Sequence, residues 1–223
     1  MSRWFPFQAL GLSGNPFRVL TEEEWEEAAL LPAALEEALE AGGHVQVLGE
    51  RAFGKSSALR AARRWLKERG VSTELHYLTP DRAELPKVGR TGAVLLDEAQ
   101  RLSRGGRRAL VRLAGRARTL LGTHEDLGPL YRREGLALRT VRLERPGFQQ
   151  FAAFVERRLQ VFRLPGACPV LLGHRGLLHA YDSAPDVRAA ERLLYDLLQA
   201  LADGGPERGA SGLDLLDAAQ EQP

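Results

Sequence analysis

A chain of 223 residues has room for one well-buried core and a small second lobe. With 44% hydrophobic and 27% charged residues it is an ordinary globular sequence, which excludes a disordered or fibrous chain. The net charge of +2 selects no partner class, and the bias that makes 28 of its 31 basic residues Arg fits a GC-rich coding sequence. The single Cys168 rules out an internal disulfide and suits a reducing cytosol. The start, Met1–Phe7, lacks the basic-then-apolar order of a secretory signal, and no run reaches the roughly 18 apolar residues that would span a bilayer. A cytoplasmic protein without a membrane segment is expected.

In chain order, Thr21 and Glu24 form a capping-box pattern that opens a short acidic helix, and Pro32 starts a second one that stops at Gly42-Gly43. His44–Leu48 reads as a first buried strand, followed by a helix over 57–69 that Gly70 closes. Further strands are expected at 74–78, at 93–96 ending on Asp97, at 119–122 and at 138–143, with a helix from about Gly106 to Arg116. Apolar runs alternating with helical stretches predict an α/β fold with a five-stranded parallel sheet. After Pro146 the pattern turns purely helical: 147–162 carries Phe148, Phe151, Phe154, Val155 and Leu159 at helical spacing, and 169–181 and 186–201 repeat the habit. The expected organisation is a core over 1–145, a helical lobe over 146–202 and a loose tail over 203–223, with one short amphipathic stretch at 213–219.

The chemistry concentrates in Gly49-Glu50-Arg51-Ala52-Phe53-Gly54-Lys55-Ser56, which fits G-x-x-x-x-G-K-[ST] between a strand and a helix. Glycines let such a loop curl around phosphates so that backbone N–H groups and the helix N-terminus face the anion. Lys55 would neutralise the β- and γ-phosphates of ATP, the Ser56 hydroxyl would bind Mg²⁺, and Ser57 lies beside it at the helix start. Forty-two residues past Lys55, an apolar strand delivers Asp97 and then Glu98. Alone, this pair is a common solvated turn. Downstream of a phosphate loop it reads as a Mg²⁺ carboxylate, Asp97, and a base that polarises water, Glu98. In a sheet ordered 5-1-4-3-2 the strand ending at Thr123 would lie between the first and third, bringing its hydroxyl near the γ-phosphate; a plain helix cap is the other reading.

These motifs resemble the AAA+ ATPases, and the C-terminal helices resemble their lid. Within that group the opening Leu10-Gly-Leu-Ser-Gly-Asn15-Pro16-Phe17 is similar to ExeA-type and TniB/TnsC-type ATPases, the likeness running over about residues 8–200. The resemblance implies that Asn15, Pro16 and Phe17 line the adenine pocket and that Thr123 is a first sensor. It further implies that Arg132 or Arg133 is a finger reaching a neighbouring subunit's nucleotide, and that Arg188 is a second sensor. For each arginine, solvated surface charge is the alternative. One departure is the connection 79–92, only 14 residues long, which leaves room for at most a short helix.

From Arg101 to Arg118 there are seven arginines and no acid. On a helix, Arg108, Arg112 and Arg116, with Arg104 before them, form a basic stripe suited to phosphates of duplex DNA, with Leu110, Leu113 and Ala117 turned to the core. No aromatics interleave, so base stacking is not expected. Composition alone, or pairing with the acidic segment Glu22–Glu40 of a neighbouring subunit, would explain the stripe as well. The expected function is an ATPase working at subunit interfaces of a homo-oligomeric ring or filament that assembles on DNA with an unidentified protein partner. The alternatives are a secretion-associated assembly factor without nucleic acid and, less favoured, a small-molecule kinase. His174 and His179, five residues apart, do not suggest a zinc site.

Overall fold

The computed structural model describes residues 6–81, 83–167 and 172–203. Cys168, the expected helix start at Pro169, and the tail from 204 on lie outside them. The described chain forms two compact units, one of residues 25–144 and one combining the N-terminal 24 residues with those from Arg145 onward.

The first unit is built on five parallel strands: β1 (His44–Leu48), β2 (Thr73–Tyr77), β3 (Ala93–Asp97), β4 (Arg118–Thr123) and β5 (Leu138–Arg142). Their order is β2-β3-β4-β1-β5, which is the expected 5-1-4-3-2 read from the other edge. All four pairings are parallel, with Leu48 beside Thr123 and Leu96 beside Leu121. A parallel sheet must be covered on both faces. On one, α2 (Ala33–Glu40) and α3 (Lys55–Glu68) set Leu35, Leu39, Leu59 and Leu66 against Val45, Val47, Leu95 and Leu120. On the other, α4 (Arg104–Ala114) and α5 (Gly128–Arg133) set Leu110, Leu113 and Tyr131 against Val94, Leu96 and Leu121. The period-2 alternation of Val94, Leu95 and Leu96 sends side chains to both layers, which is why these strands read as continuous apolar runs.

Helix α1 (Glu22–Ala28) opens on the expected capping box: Thr21 N–H donates to Glu24 at 2.9 Å, and Glu24 N–H to the Thr21 hydroxyl at 3.2 Å. Near its end, the carbonyl of Glu27 and that of Ala29 just past the helix accept from Arg64 at 2.8 and 3.0 Å. Between β2 and β3 no helix occurs among the described residues, so the short crossover runs as loop, within the limit expected for it. Ser103 caps α4, accepting from Gly106 N–H at 3.0 Å, so that helix starts and ends earlier than its apolar spacing suggested. Arg116 consequently lies past the helix end, and the stripe on the helix is Arg104, Arg108 and Arg112. Helix α5 is six residues long, too short to show a period, and was not expected from the sequence.

The second unit packs α6 (Phe148–Phe162), α7 (His174–Ser183) and α8 (Val187–Ala202) around Phe151, Val155, Phe162, Leu194 and Leu198. The N-terminal residues join this core rather than the sheet, which differs from the expected grouping over 1–145. Phe7, Leu12 and Phe17 are buried in it, and Leu12 bridges to Arg163. The tie is polar as well: Asn15 Nδ2 donates to the Tyr195 carbonyl at 3.0 Å, and Arg158 to that of Pro16 at 2.8 Å. Such contacts span up to 180 positions of sequence, beyond the reach of local patterning. No helix among the described residues is long and apolar enough to cross a membrane.

Candidate functional site

The loop between β1 and α3 takes the curled form that its glycines allow. Gly54 sits at φ 88° as the helix N-cap, a left-handed conformation that costs a side-chain-bearing residue. Gly49 has a different reason to be glycine: a Cβ there would lie 2.8 Å from the Leu143 carbonyl oxygen. Glu50, Arg51 and Phe53, with Gly49, line an open cleft of about 620 Å³ that His124, Arg142 and Glu144 complete. Ala52, at the loop's crest, holds φ 66°. Local strain of this kind persists where the surroundings over-determine the backbone.

Lys55 is 5% exposed, and its ammonium turns back on the loop, donating to the carbonyls of Gly49 at 2.9 Å and Glu50 at 2.7 Å. Those carbonyl contacts keep a charge within the loop that desolvation would otherwise disfavour. Ser57, next to Ser56, accepts from the Trp25 indole at 3.0 Å, and the Arg60 guanidinium stacks 3.7 Å over the same ring while donating to the Ser56 carbonyl at 3.1 Å.

Across the sheet, β3 ends on Asp97, 2% exposed and hydrogen-bonded to the Ser56 side chain. Burial pushes its carboxyl above the usual carboxylate range, against the Ser56 bond and Arg60, with Glu98 adding to the rise. A buried carboxylate touching a hydroxyl is a pair of hard oxygen donors, and it fits Mg²⁺, which takes few protein ligands and keeps several waters. Ser56 and Asp97 are the residues that would hold the ion, which would supply charge neutralisation at the phosphates.

Glu98 adopts φ 61°, again left-handed, and its N–H donates to Asp97 at 3.0 Å. The Glu98 carboxylate accepts from Gln100 at 2.8 Å and pairs with Arg101 at 3.0 Å. Thr123 is fully buried at the end of β4, and its hydroxyl closes on its own turn, donating to the Glu125 carbonyl at 2.8 Å and accepting from Glu125 N–H at 3.0 Å. The next residue, His124, lines the cleft, and sequence reading passed it over; a polar residue one step past a strand tip, as Glu98 is past Asp97, was the available signal.

The structure therefore brings Lys55, Ser56, Asp97 and Glu98 to one edge of the sheet, where the C-terminal ends of β1, β3 and β4 meet. Arg132 and Arg133 end α5, both exposed, with Arg132 in the field of Asp126. The helix that carries them is pinned by Tyr131, whose phenol meets the Thr119 hydroxyl at 2.7 Å and is pushed up to about 12 by burial. Asn15, Pro16 and Phe17 are buried in the helical unit, and Arg188 is exposed near the start of α8 beside a cleft of about 550 Å³.

No protein-family model matches the sequence, and no curated protein matches it. Solved structures do. A DNA replication initiation factor aligns with a TM-score of 0.52 at 16% identity, over 77% of this chain and 60% of its own. Replication initiator DnaA bound to AMPPCP and single-stranded DNA gives 0.50 at 15%, over 76% and 60%. A variant of RuvB from Thermotoga maritima gives 0.56 at 15%, over 89% and 69%. This chain thus spans about 60% of the length of the first two. At such identities the likeness is one of fold: an AAA+-like α/β sheet with C-terminal helices.

Proposed function

We propose that the protein is an AAA+-like ATPase that binds and hydrolyses Mg²⁺-ATP at subunit interfaces to drive assembly on DNA, in the manner of a replication loader or a transposition target selector. One observation carries the nucleotide part: Lys55, the Ser56–Asp97 pair and Glu98 gather at the strand tips, with Lys55 bonded to Gly49 and Glu50, which line the open cleft. Lys55 binds the β- and γ-phosphates, Ser56 and Asp97 hold the metal, and Glu98 polarises the attacking water. Asn15, Pro16 and Phe17 contribute to the adenine site, Arg188 acts as the second sensor, and Arg132 or Arg133 reaches the nucleotide of a neighbouring copy. Two of the similar structures support the choice of partner class, since one is a DNA replication initiation factor and the other was solved with an ATP analogue and single-stranded DNA.

The DNA part rests on the face of α4. Three of the seven arginines between 101 and 118 are engaged at home: Arg101 with Glu98, Arg107 with Glu125, and Arg118 with the Gly43 carbonyl. The other four, Arg104, Arg108, Arg112 and Arg116, are exposed and pair with no carboxylate among the described residues. Arginines left to solvent on one face suit phosphate contacts. The assay is ATP turnover measured over a wide range of protein concentration, with and without duplex DNA, together with electron microscopy of Glu98→Gln with ATP. Turnover that climbs with concentration or DNA, and rings or filaments on DNA, support the reading. Turnover indifferent to both, with no shift of long duplex DNA at low salt, favours a protein-assembly ATPase that needs no nucleic acid.

A further inference from the structure

His124 has no task in the nucleotide reading, yet its ring lies between the two charged side chains on which that reading depends. Nδ1 is 3.4 Å from the Lys55 ammonium, and Nε2 is 3.6 Å from a Glu98 carboxylate oxygen. Opposite ends of one imidazole thus face a cation and an anion. The tautomer that suits both keeps a lone pair on Nδ1, toward Lys55, and a proton on Nε2, toward Glu98.

The residue is held there from behind. Its backbone N–H donates to Gln100 Oε1 at 3.3 Å, and Nε2 of the same Gln100 donates to Glu98 at 2.8 Å. One side chain thereby ties the backbone of residue 124 to the carboxylate its ring faces. Three residues on, Leu127 N–H donates to the fully buried Gln46 at 2.9 Å, which anchors the far end of the turn. Thr123, by contrast, has its hydroxyl committed as donor and acceptor to Glu125. The His124 side chain is 32% exposed on the cleft, which leaves it free to turn.

We propose that His124 is a positioning residue that couples filling of the phosphate loop to release of Glu98. Without nucleotide, its ring links Lys55 to Glu98 and holds both in a resting arrangement. A γ-phosphate draws the ammonium of Lys55 to itself, Nδ1 loses its partner, and the ring can turn its Nε2–H to the phosphate oxygens. The Glu98 oxygen that faced Nε2 is then open to the water, while Gln100 and Arg101 keep the other oxygen. ADP offers no γ-phosphate at that place, so the device distinguishes the two nucleotides. This inference rests on the ATPase reading.

The test compares wild type, His124→Ala and His124→Gln as full-length chains, measuring kcat and KM for ATP and the Kd values of fluorescent ATP and ADP analogues. Ala is expected to lower kcat by about tenfold to a hundredfold. It is also expected to erase most of the preference for the ATP analogue while ADP affinity stays within about twofold. Gln, whose amide can accept from Lys55 and donate to Glu98, is expected to recover most of both. Equal loss of affinity for both nucleotides, or Ala turnover within about twofold of wild type, would overturn the proposal. Wild-type protein that binds no nucleotide overturns the ATPase reading along with it, and that result is visible before any variant is compared.

Discussion

Lys55 and Glu98 are both held by local partners, and that sets what their removal does. The Lys55 ammonium rests on two loop carbonyls, so Lys55→Ala unfolds nothing but takes the only Lys charge from the loop. It should abolish retention of a fluorescent ATP analogue, a loss of about a hundredfold or more, with an unchanged melting curve. Glu98→Gln keeps side-chain volume and can still bond Gln100, but it removes the proposed base. Binding should persist while single-turnover hydrolysis slows by about a hundredfold or more. Comparable hydrolysis by Glu98→Gln and wild type would remove Glu98 from its role. Both positions were named from the sequence, Lys55 by a motif of fixed spacing and Glu98 by an apolar strand that ends on Asp97. His124 was not: which side chain at a strand tip faces the cleft depends on how the following turn closes, and here the Glu125 backbone claims Thr123.

At the scale of elements, the site depends on how tightly β3, β4 and α3 meet. Gly122 lies where a Cβ would come 2.8 Å from Asp97 Oδ1 and 3.0 Å from Leu59 Cδ1. A methyl group there cannot be accommodated without moving the carboxylate. Gly122→Ala should therefore raise the Mg²⁺ concentration needed for half-maximal turnover well before it affects the Lys55-dependent retention of nucleotide, which a metal titration resolves. On the neighbouring strand, Gln46 donates to Thr140 at 2.7 Å and accepts from Leu127 N–H, locking β5 and the turn after β4 to the middle of the sheet. Gln46→Leu leaves the buried Leu127 N–H unpaired and should cost about 1–3 kcal/mol in denaturant unfolding. The strands themselves were readable from apolar runs because both sheet faces are covered. A polar residue at 0% exposure in such a run, as Gln46 is, carries no sign in sequence of what it will bond.

For the whole molecule, two features lie beyond any local pattern: the polar tie inside the helical unit and the charge left on α4. In the helical unit Arg158 meets Glu191 at 2.6 Å and lies over the rings of Phe17 and Phe154. Burial pushes the Glu191 carboxyl above, and the Arg158 guanidinium below, their ordinary values, so desolvation outweighs their attraction. Folded protein therefore holds the Glu191 proton more tightly than unfolded chain does. Its contribution to stability is full below the ordinary carboxylate range and is lost as pH rises through the raised value, and Glu191→Gln should flatten that slope. Arg158→Ala strands the carboxylate and should cost about 3 kcal/mol at neutral pH. The arginine run on α4 was visible as composition, but only packing separates structural guanidiniums from spare ones. Replacing Arg104, Arg108 and Arg112 together by Gln leaves Arg101, Arg107 and Arg118 at their posts, so the fold should hold. If each of the three neutralises one phosphate, the slope of log binding constant against log salt for duplex DNA should flatten by about 2.7. Affinity should fall equally for unrelated sequences, because contacts to phosphates carry no base information. An unchanged slope would mean that this face meets solvent or protein instead, and the proposed assembly would then have to find DNA by another surface or do without it.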